Sequence, residues 1–162
     1  MATKRAERSA TQSDADKLKG LVQSFVRNFG LLVLKRTPCG LPISPSHAHC
    51  LMQLLERERS SVETSQSDLG ERLGIDKSNV TRLCRKLERD GHATQTRSPK
   101  DGRGRTVSLT AKGRRMAEQL EVASDERFRR ILKAIAPRAR GSLLQSLQAL
   151  NGALRVLDGE VK

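Results

Sequence analysis

From Lys77 to Arg89 the chain reads Lys-Ser-Asn-Val-Thr-Arg-Leu-Cys-Arg-Lys-Leu-Glu-Arg, and its hydrogen-bonding groups recur at helical intervals. A helix advances about 100° per residue, which puts Ser78, Arg82, Arg85 and Arg89 on one side, flanked by Asn79, Thr81 and Lys86. Val80, Leu83, Cys84 and Leu87 form a single apolar stripe opposite them. Guanidinium groups bond bidentately to guanine and carboxamides to adenine, while hydroxyls reach either a base or a phosphate. The chemistry on offer is therefore readout of base edges by Ser78, Asn79, Thr81, Arg82 and Arg85. Lys77, Lys86 and Arg89 are placed to neutralise phosphates. A solvated surface helix can carry the same charges, so this segment does not decide the matter alone.

The following segment adds weight. His92 to Arg97 and Arg105 to Leu109 read as two strands, with Val107 and Leu109 on one face by alternation. Between them Ser98-Pro99-Lys100-Asp101-Gly102-Arg103-Gly104 is turn chemistry bearing positive charge. A basic hairpin beside a basic helix suits simultaneous contact with a minor and a major groove. Arg103, with Arg105 behind it, is the candidate for the minor groove, and Arg97 for a phosphate.

The elements that must position these groups surround them. Asp68 to Leu73 puts Leu69 and Leu73 on one helical face, and Gly74 stands where a helix takes a left-handed terminal residue. Ile75 turns inward and Asp76 caps the next helix, which Gly91 stops. Ser60 to Thr64 leads into this unit, with a short strand expected at Val62 to join the hairpin. Helix, turn, helix and a basic two-stranded ribbon are the parts of a winged helix-turn-helix.

These residues resemble the DNA-binding core of the MarR-type transcriptional regulators. Asp101-Gly102-Arg103-Gly104-Arg105-Thr106-Val107-Ser108-Leu109-Thr110 is similar to that family's wing pattern of Asp-x-Arg, five residues, then Leu-Thr. Leu69 to Ile75 with Lys77 to Leu83 resembles its helix-turn-helix, and Thr110-Ala111-Lys112-Gly113 its turn into the next helix. The resemblance covers about the middle third of the chain. It departs at His92-Ala93, where a larger apolar pair usually anchors the wing, and an exposed His92 is expected.

The whole chain has 162 residues, 31 Lys and Arg against 18 Asp and Glu, and a net charge of +13. That excess calls for a polyanionic partner. No apolar run approaches the roughly 18 residues that span a bilayer, and the start is not a secretory signal, so no membrane association and a cytoplasmic location are expected. Only three Phe, with no Trp or Tyr, leave too few aromatic rings for a single-strand stacking platform. The composition predicts a mostly α protein with a small β wing.

Residues 1–13 are polar and mixed in charge and are expected to be a disordered arm. A helix follows over Asp14–Lys35, ended by Thr37-Pro38-Cys39-Gly40-Leu41-Pro42. Ser44-Pro45 opens a second helix to Arg59. After Thr110 one long helix precedes Pro137 and a last helix follows it. There Leu143, Leu147, Leu150, Leu154 and Leu157 form a heptad-like seam that suits association between chains. The expected organisation is a winged helix-turn-helix over 44–110 and a helical dimerisation region over 14–43 and 111–162. The resemblance implies a two-fold homodimer, interleaved through its first and last two helices. Such a dimer would set two recognition helices about 34–36 Å apart on double-stranded DNA. The expected output is repression from a palindromic operator.

By analogy with the family, a small aromatic or acidic effector would lie between the dimer helices and the DNA-binding lobe. Phe25, Phe29, His47 and Cys50 are the candidate wall, and plain core packing explains the two Phe equally well. The rival signal is oxidation of Cys39, which lies in a loop close to Lys35 and Arg36, whose charges favour a thiolate. Cys84 and Cys50 read as buried structural thiols. His47, His49, Cys39 and Cys50 match no standard zinc module, so neither metal nor cofactor is expected. No nucleotide-binding, hydrolase or dinucleotide motif is present, which excludes the common enzyme classes. A non-specific architectural protein is the remaining alternative, because net charge alone would suffice for it.

Overall fold

The computed structural model describes residues 2–33, 35–97 and 104–160. In chain order it contains α1 (Ala2–Phe29), α2 (Pro45–Arg59), α3 (Gln66–Leu73), α4 (Lys77–Arg89), β1 (Ala93–Arg97), β2 (Arg105–Leu109), α5 (Ala111–Ala134) and α6 (Pro137–Glu160). Two compact units divide the chain at a boundary inside α5, Met1–Ala123 and Ser124–Lys162.

Two expectations about the first helix fail. α1 begins at Ala2, where a disordered arm was expected to continue to Ser13. Residues 2–13 contain no Gly or Pro and are rich in Ala, Lys, Arg, Glu and Gln, all tolerant of helix. The helix ends at Phe29 instead of running to Lys35, because Gly30 takes a left-handed φ of 87°.

The centre of the first unit is built by caps and a compact core. Ser44 caps α2 ahead of Pro45, as the Ser-Pro pair predicts. Ser65 and Asp68 form a reciprocal capping box on α3, with Ser65 N donating to Asp68 Oδ2 at 2.9 Å and Asp68 N donating to Ser65 Oγ at 3.1 Å. α3 stops at Gly74, φ 64°, and α4 starts at once behind Asp76. Leu51, Leu54 and Leu55 of α2, Leu69 of α3, and Val80, Leu83, Cys84 and Leu87 of α4 join Val107, Leu109, Ala117 and Leu120 in one buried cluster. Removing a buried leucine such as Leu87 from a core like this costs about 2–5 kcal/mol.

β1 and β2 are antiparallel, with Ala93 opposite Leu109 and Arg97 opposite Arg105. The extra strand expected at Val62 is instead a single bridge between Ser65 and Thr106. Val107 N donates to Thr64 O at 2.8 Å and Thr106 Oγ1 donates to Glu63 Oε1 at 2.8 Å, while Val62 stays exposed. The β-like residue at 62 was a false cue, since the backbone is in register three residues later.

A compact knot joins the end of α4 to the start of α5. Thr110 Oγ1 donates to Gly91 O at 2.7 Å and accepts from Gly113 N at 3.0 Å, Thr110 N donates to His92 O at 3.1 Å, and Lys112 Nζ donates to Asp90 O at 2.7 Å. Gly113 lies so close to this turn that a Cβ there would sit 1.8 Å from His92 O. His92 is itself buried, contrary to the exposed histidine expected from sequence, and its Nδ1 has no hydrogen-bond partner. Burial is the main influence that lowers its pKa. Gly113→Ala should therefore lower stability by roughly 1–3 kcal/mol, the cost of overpacking a close contact. Gly141→Ala, in open space on α6, should instead be neutral or stabilise by up to about 1 kcal/mol. Urea unfolding of the two variants beside the parent checks both signs.

Candidate nucleic-acid interface

α4 has the two-sided character expected of it. Val80, Leu83, Cys84 and Leu87 are buried, while Lys77, Ser78, Asn79, Arg82, Arg85, Lys86 and Arg89 are exposed. Thr81 is half-buried and its hydroxyl donates to Lys77 O at 2.8 Å. Asp76 organises the exposed N-terminal turn. Its Oδ1 accepts from Ser78 N at 2.9 Å, Asn79 N at 2.9 Å and Ser78 Oγ at 2.7 Å, and its Oδ2 accepts from Asn79 Nδ2. The Ser78 hydroxyl and the Asn79 amide, with the Ser78 backbone, hold the Asp76 carboxyl down to about 2. Asn79 Oδ1 in turn accepts from Arg82. The polar groups that sequence assigns to base readout are thus pre-arranged around one carboxylate. Lys86 is held back differently, with Nζ 2.8 Å from Asp90 within the helix.

A cleft of about 740 Å³ opens between α4 and the start of α2, with Ser46 and His47 facing Asn79, Arg82, Arg85, Lys86 and Arg89. His47 Nδ1 lies 2.6 Å from Ser44 Oγ. Burial, reinforced by Lys86, lowers the His47 pKa. The cleft is cationic along one whole wall and polar on the other, so it suits an anionic backbone better than an apolar ligand.

At the hairpin, Arg97 and Arg105 are both exposed and directly opposite in the register. Like charges in that relation repel across a strand pair, and a polyanion removes the repulsion. Arg103, the residue assigned to the minor groove, lies outside the described residues.

Sequence reading missed the link between wing and helix. Gln95 of β1 clamps Glu88 of α4, with Gln95 N donating to Oε1 at 3.2 Å and Gln95 Nε2 donating to Oε2 at 2.8 Å. Gln66 of α3 donates to Gln95 Oε1 and accepts from Thr81 Oγ1 at 3.4 Å. One polar chain therefore connects α3, α4 and β1. Glutamines carry no periodic or motif signal, and only the folded backbone brings residues 66 and 95 together.

The four residues proposed as an effector wall are not gathered in one place. Phe25 stacks on Phe29 with centroids 5.1 Å apart, both on α1. His47 lines the cationic cleft, and Cys50 has no exposed surface and cannot form an open wall. Cys39 is half-buried, its Sγ 3.0 Å from Thr37 Oγ1. On α6, Leu147, Leu154 and Leu157 are exposed and Leu143 and Leu150 half-buried. Among the described residues no group of three His, Cys, Asp or Glu is gathered as a metal would require, and no helix is long and apolar enough to cross a membrane.

The buried stripe and cationic face of α4, the left-handed turn before it and the two-stranded ribbon after it define a winged helix-turn-helix protein. Residues 41–104 match the MarR family, and on this segment the chain is a MarR-type protein. It is 28% identical over 107 residues to the uncharacterized HTH-type transcriptional regulator YdgJ of Bacillus subtilis (strain 168), a match covering 66% of this chain and 65% of that one. The chain therefore spans just under two thirds of that relative's length. Its fold is similar to that of S. aureus MepR in a DNA complex, with a TM-score of 0.63, 17% identity, and coverage of 90% of this chain and 95% of that one. It is also similar to the PcaV transcriptional regulator of Streptomyces coelicolor in complex with its natural ligand, with a TM-score of 0.61, 23% identity, and coverage of 85% and 91%. The family and these relatives are transcriptional regulators and not enzymes.

The Asp76 network makes a pH prediction. Its pKa is depressed from 3.8 to about 2 in the folded protein, so its stabilising effect is complete above the unfolded value and disappears as pH falls through the folded one. Asp76→Ala should lower the thermal midpoint at neutral pH, with the deficit to the parent shrinking between about pH 5 and 2. Asp76→Ser should recover much of it, since serine also caps. A deficit that stays constant down to pH 2 would contradict this account of the cap.

Proposed function

We propose that this protein is a sequence-specific regulator of transcription that binds double-stranded DNA as a homodimer on an inverted repeat. Its expected action is repression relieved by a small ligand. The observation that carries the reading is the two-sided α4, whose apolar stripe is sealed while Arg82, Arg85 and Arg89 project with Ser78 and Asn79. A merely cationic protein has no need of a capped, pre-arranged Ser-Asn-Arg group on one helical turn. The DNA-bound MepR structure, of like fold, supports the use of this face.

Two features support the dimer. Leu18, Leu21, Val22 and Phe25 of α1 are exposed, and so are Leu144, Leu147, Leu154 and Leu157 of α6. Apolar faces of this extent on terminal helices mark surfaces that a partner covers. Support for a ligand comes from PcaV, of like fold, with its natural ligand bound. Cys39 remains the candidate for an oxidant signal in its Pro/Gly loop.

The decisive experiment is selection of duplexes from a random pool by the purified protein. Enrichment of an inverted repeat is expected, and an unenriched pool would leave only non-specific cation binding. On the selected site Arg82→Ala should cost about 1–3 kcal/mol and relax preference at one position of each half-site, while Lys77→Ala should weaken all sequences alike and lower the salt slope by about 1. Arg103→Ala should lose most where the flanking minor groove is narrow and A·T-rich. Leu147→Glu with Leu154→Glu should sediment as a monomer, and an unchanged dimer would move the association surface elsewhere.

A further inference from the structure

Cys50 of α2 and Cys84 of α4 are both completely buried in the core, and their thiols are hydrogen-bonded to each other. This bond is the leading influence on both groups, pushing Cys50 up and Cys84 down. The pair therefore behaves as a Cys50 S–H donating to a sulfur at Cys84 that carries the more thiolate character. A buried cysteine usually acts as a small apolar packer. Two in mutual hydrogen bond, on the two helices that form the walls of the cationic cleft, have a further capacity. Cys50 lies one turn beyond His47 on α2, and Cys84 follows Leu83 on α4, and both His47 and Leu83 line that cleft. The pair is thus just below the cleft floor.

We propose that Cys50 and Cys84 are a two-electron redox site, closed by a hydroperoxide into an intramolecular disulfide that weakens DNA binding. The second half of this statement rests on the DNA-binding reading given above. In the first step the Cys84 thiolate attacks one peroxide oxygen, the S–O bond forms, the O–O bond breaks, and the departing alkoxide takes a proton to leave as alcohol. In the second, the Cys50 sulfur attacks Cys84, the S–S bond forms, and hydroxide leaves as water with the Cys50 proton. Two thiols are oxidised by two electrons and one peroxide is reduced to alcohol and water. A disulfide holds its sulfurs at about 2.05 Å, closer than any hydrogen-bonded pair, so closure draws α4 toward α2. Arg82 and Arg85 ride on the same helix and move with it. Cys39 is no substitute, since it has no paired thiol and its sulfur is engaged by Thr37.

The test uses the full-length protein, cumene hydroperoxide and the selected duplex. Peptide mapping without reductant should give a Cys50–Cys84 pair lighter by two hydrogens, in Cys39→Ser as in the parent. DNA affinity of both should fall by roughly 5–150-fold, the usual range for coupling between two sites, and return with dithiothreitol. Cys50→Ala and Cys84→Ala should bind DNA when reduced and ignore the peroxide. If either folds poorly, Cys50→Val or Cys84→Val keeps the volume and serves the same arm. Both thiols remaining free after peroxide would overturn the redox site. A disulfide that leaves affinity unchanged would overturn the coupling. If the reduced protein selects no duplex, the regulator reading fails, while peptide mapping still decides the disulfide.

Discussion

The sealing of one apolar stripe of α4 against α2 and α3 is the constraint on which everything else rests. Val80, Leu83, Cys84 and Leu87 fix the rotation of that helix about its own axis. Once the rotation is set, the direction of every arginine on it is set too. A rotation of one residue, about 100°, would bury Thr81 and Lys86 and turn Leu83 outward. The close approach of α3 serves the same end, since Gly70 has Val80 Cγ2 only 3.0 Å from where a Cβ would stand. Hydrophobic burial here is less a store of stability than a way of aiming polar groups.

The aimed groups are then restrained by one another. Asp76 gathers Ser78 and Asn79, Asn79 engages Arg82, and Asp90 engages Lys86. Such bonds at an exposed face are cheap to exchange for contacts with a nucleic acid. They lower the number of side-chain conformations that must be lost on binding. The Gln66–Gln95–Glu88 chain does the same for the angle between ribbon and helix. Arg85 and Arg89, by contrast, are exposed over a cleft whose field their own charges build.

The elements that sequence reads well are those with local causes. Ser44-Pro45, Asp76 and Gly74 declare helix ends through capping chemistry, and the stripe of α4 declares its inner face by period. Residues 93–97 and 105–109 alternate as strands should, and the Pro/Gly run between them admits no other element. Failures occur where the cause is distant or where two local signals compete. The helix before Gly30 outran a compositional argument for disorder, and Gly30 stopped it sooner than the apolar residues beyond suggested. His92 looked exposed because its burial depends on Gly113, twenty-one positions away in the chain. Cys50 looked like a pocket residue because its face was right, but α4 closes over it. The glutamine chain was illegible for the same reason, as were Ser46 and His47 as the far wall of the cationic cleft.

The knot at residues 90–113 has a mechanical meaning. With Lys112, Thr110 and Gly113 all fastened to the last backbone carbonyls of α4 and its exit turn, the joint has no slack in which a bend could be absorbed. A small tilt imposed anywhere along α5 arrives at the arginine-bearing helix as a tilt of similar size. The chain thereby turns its longest route away from the nucleic-acid face into a stiff crank, and any event that grips that shaft is felt at the groove.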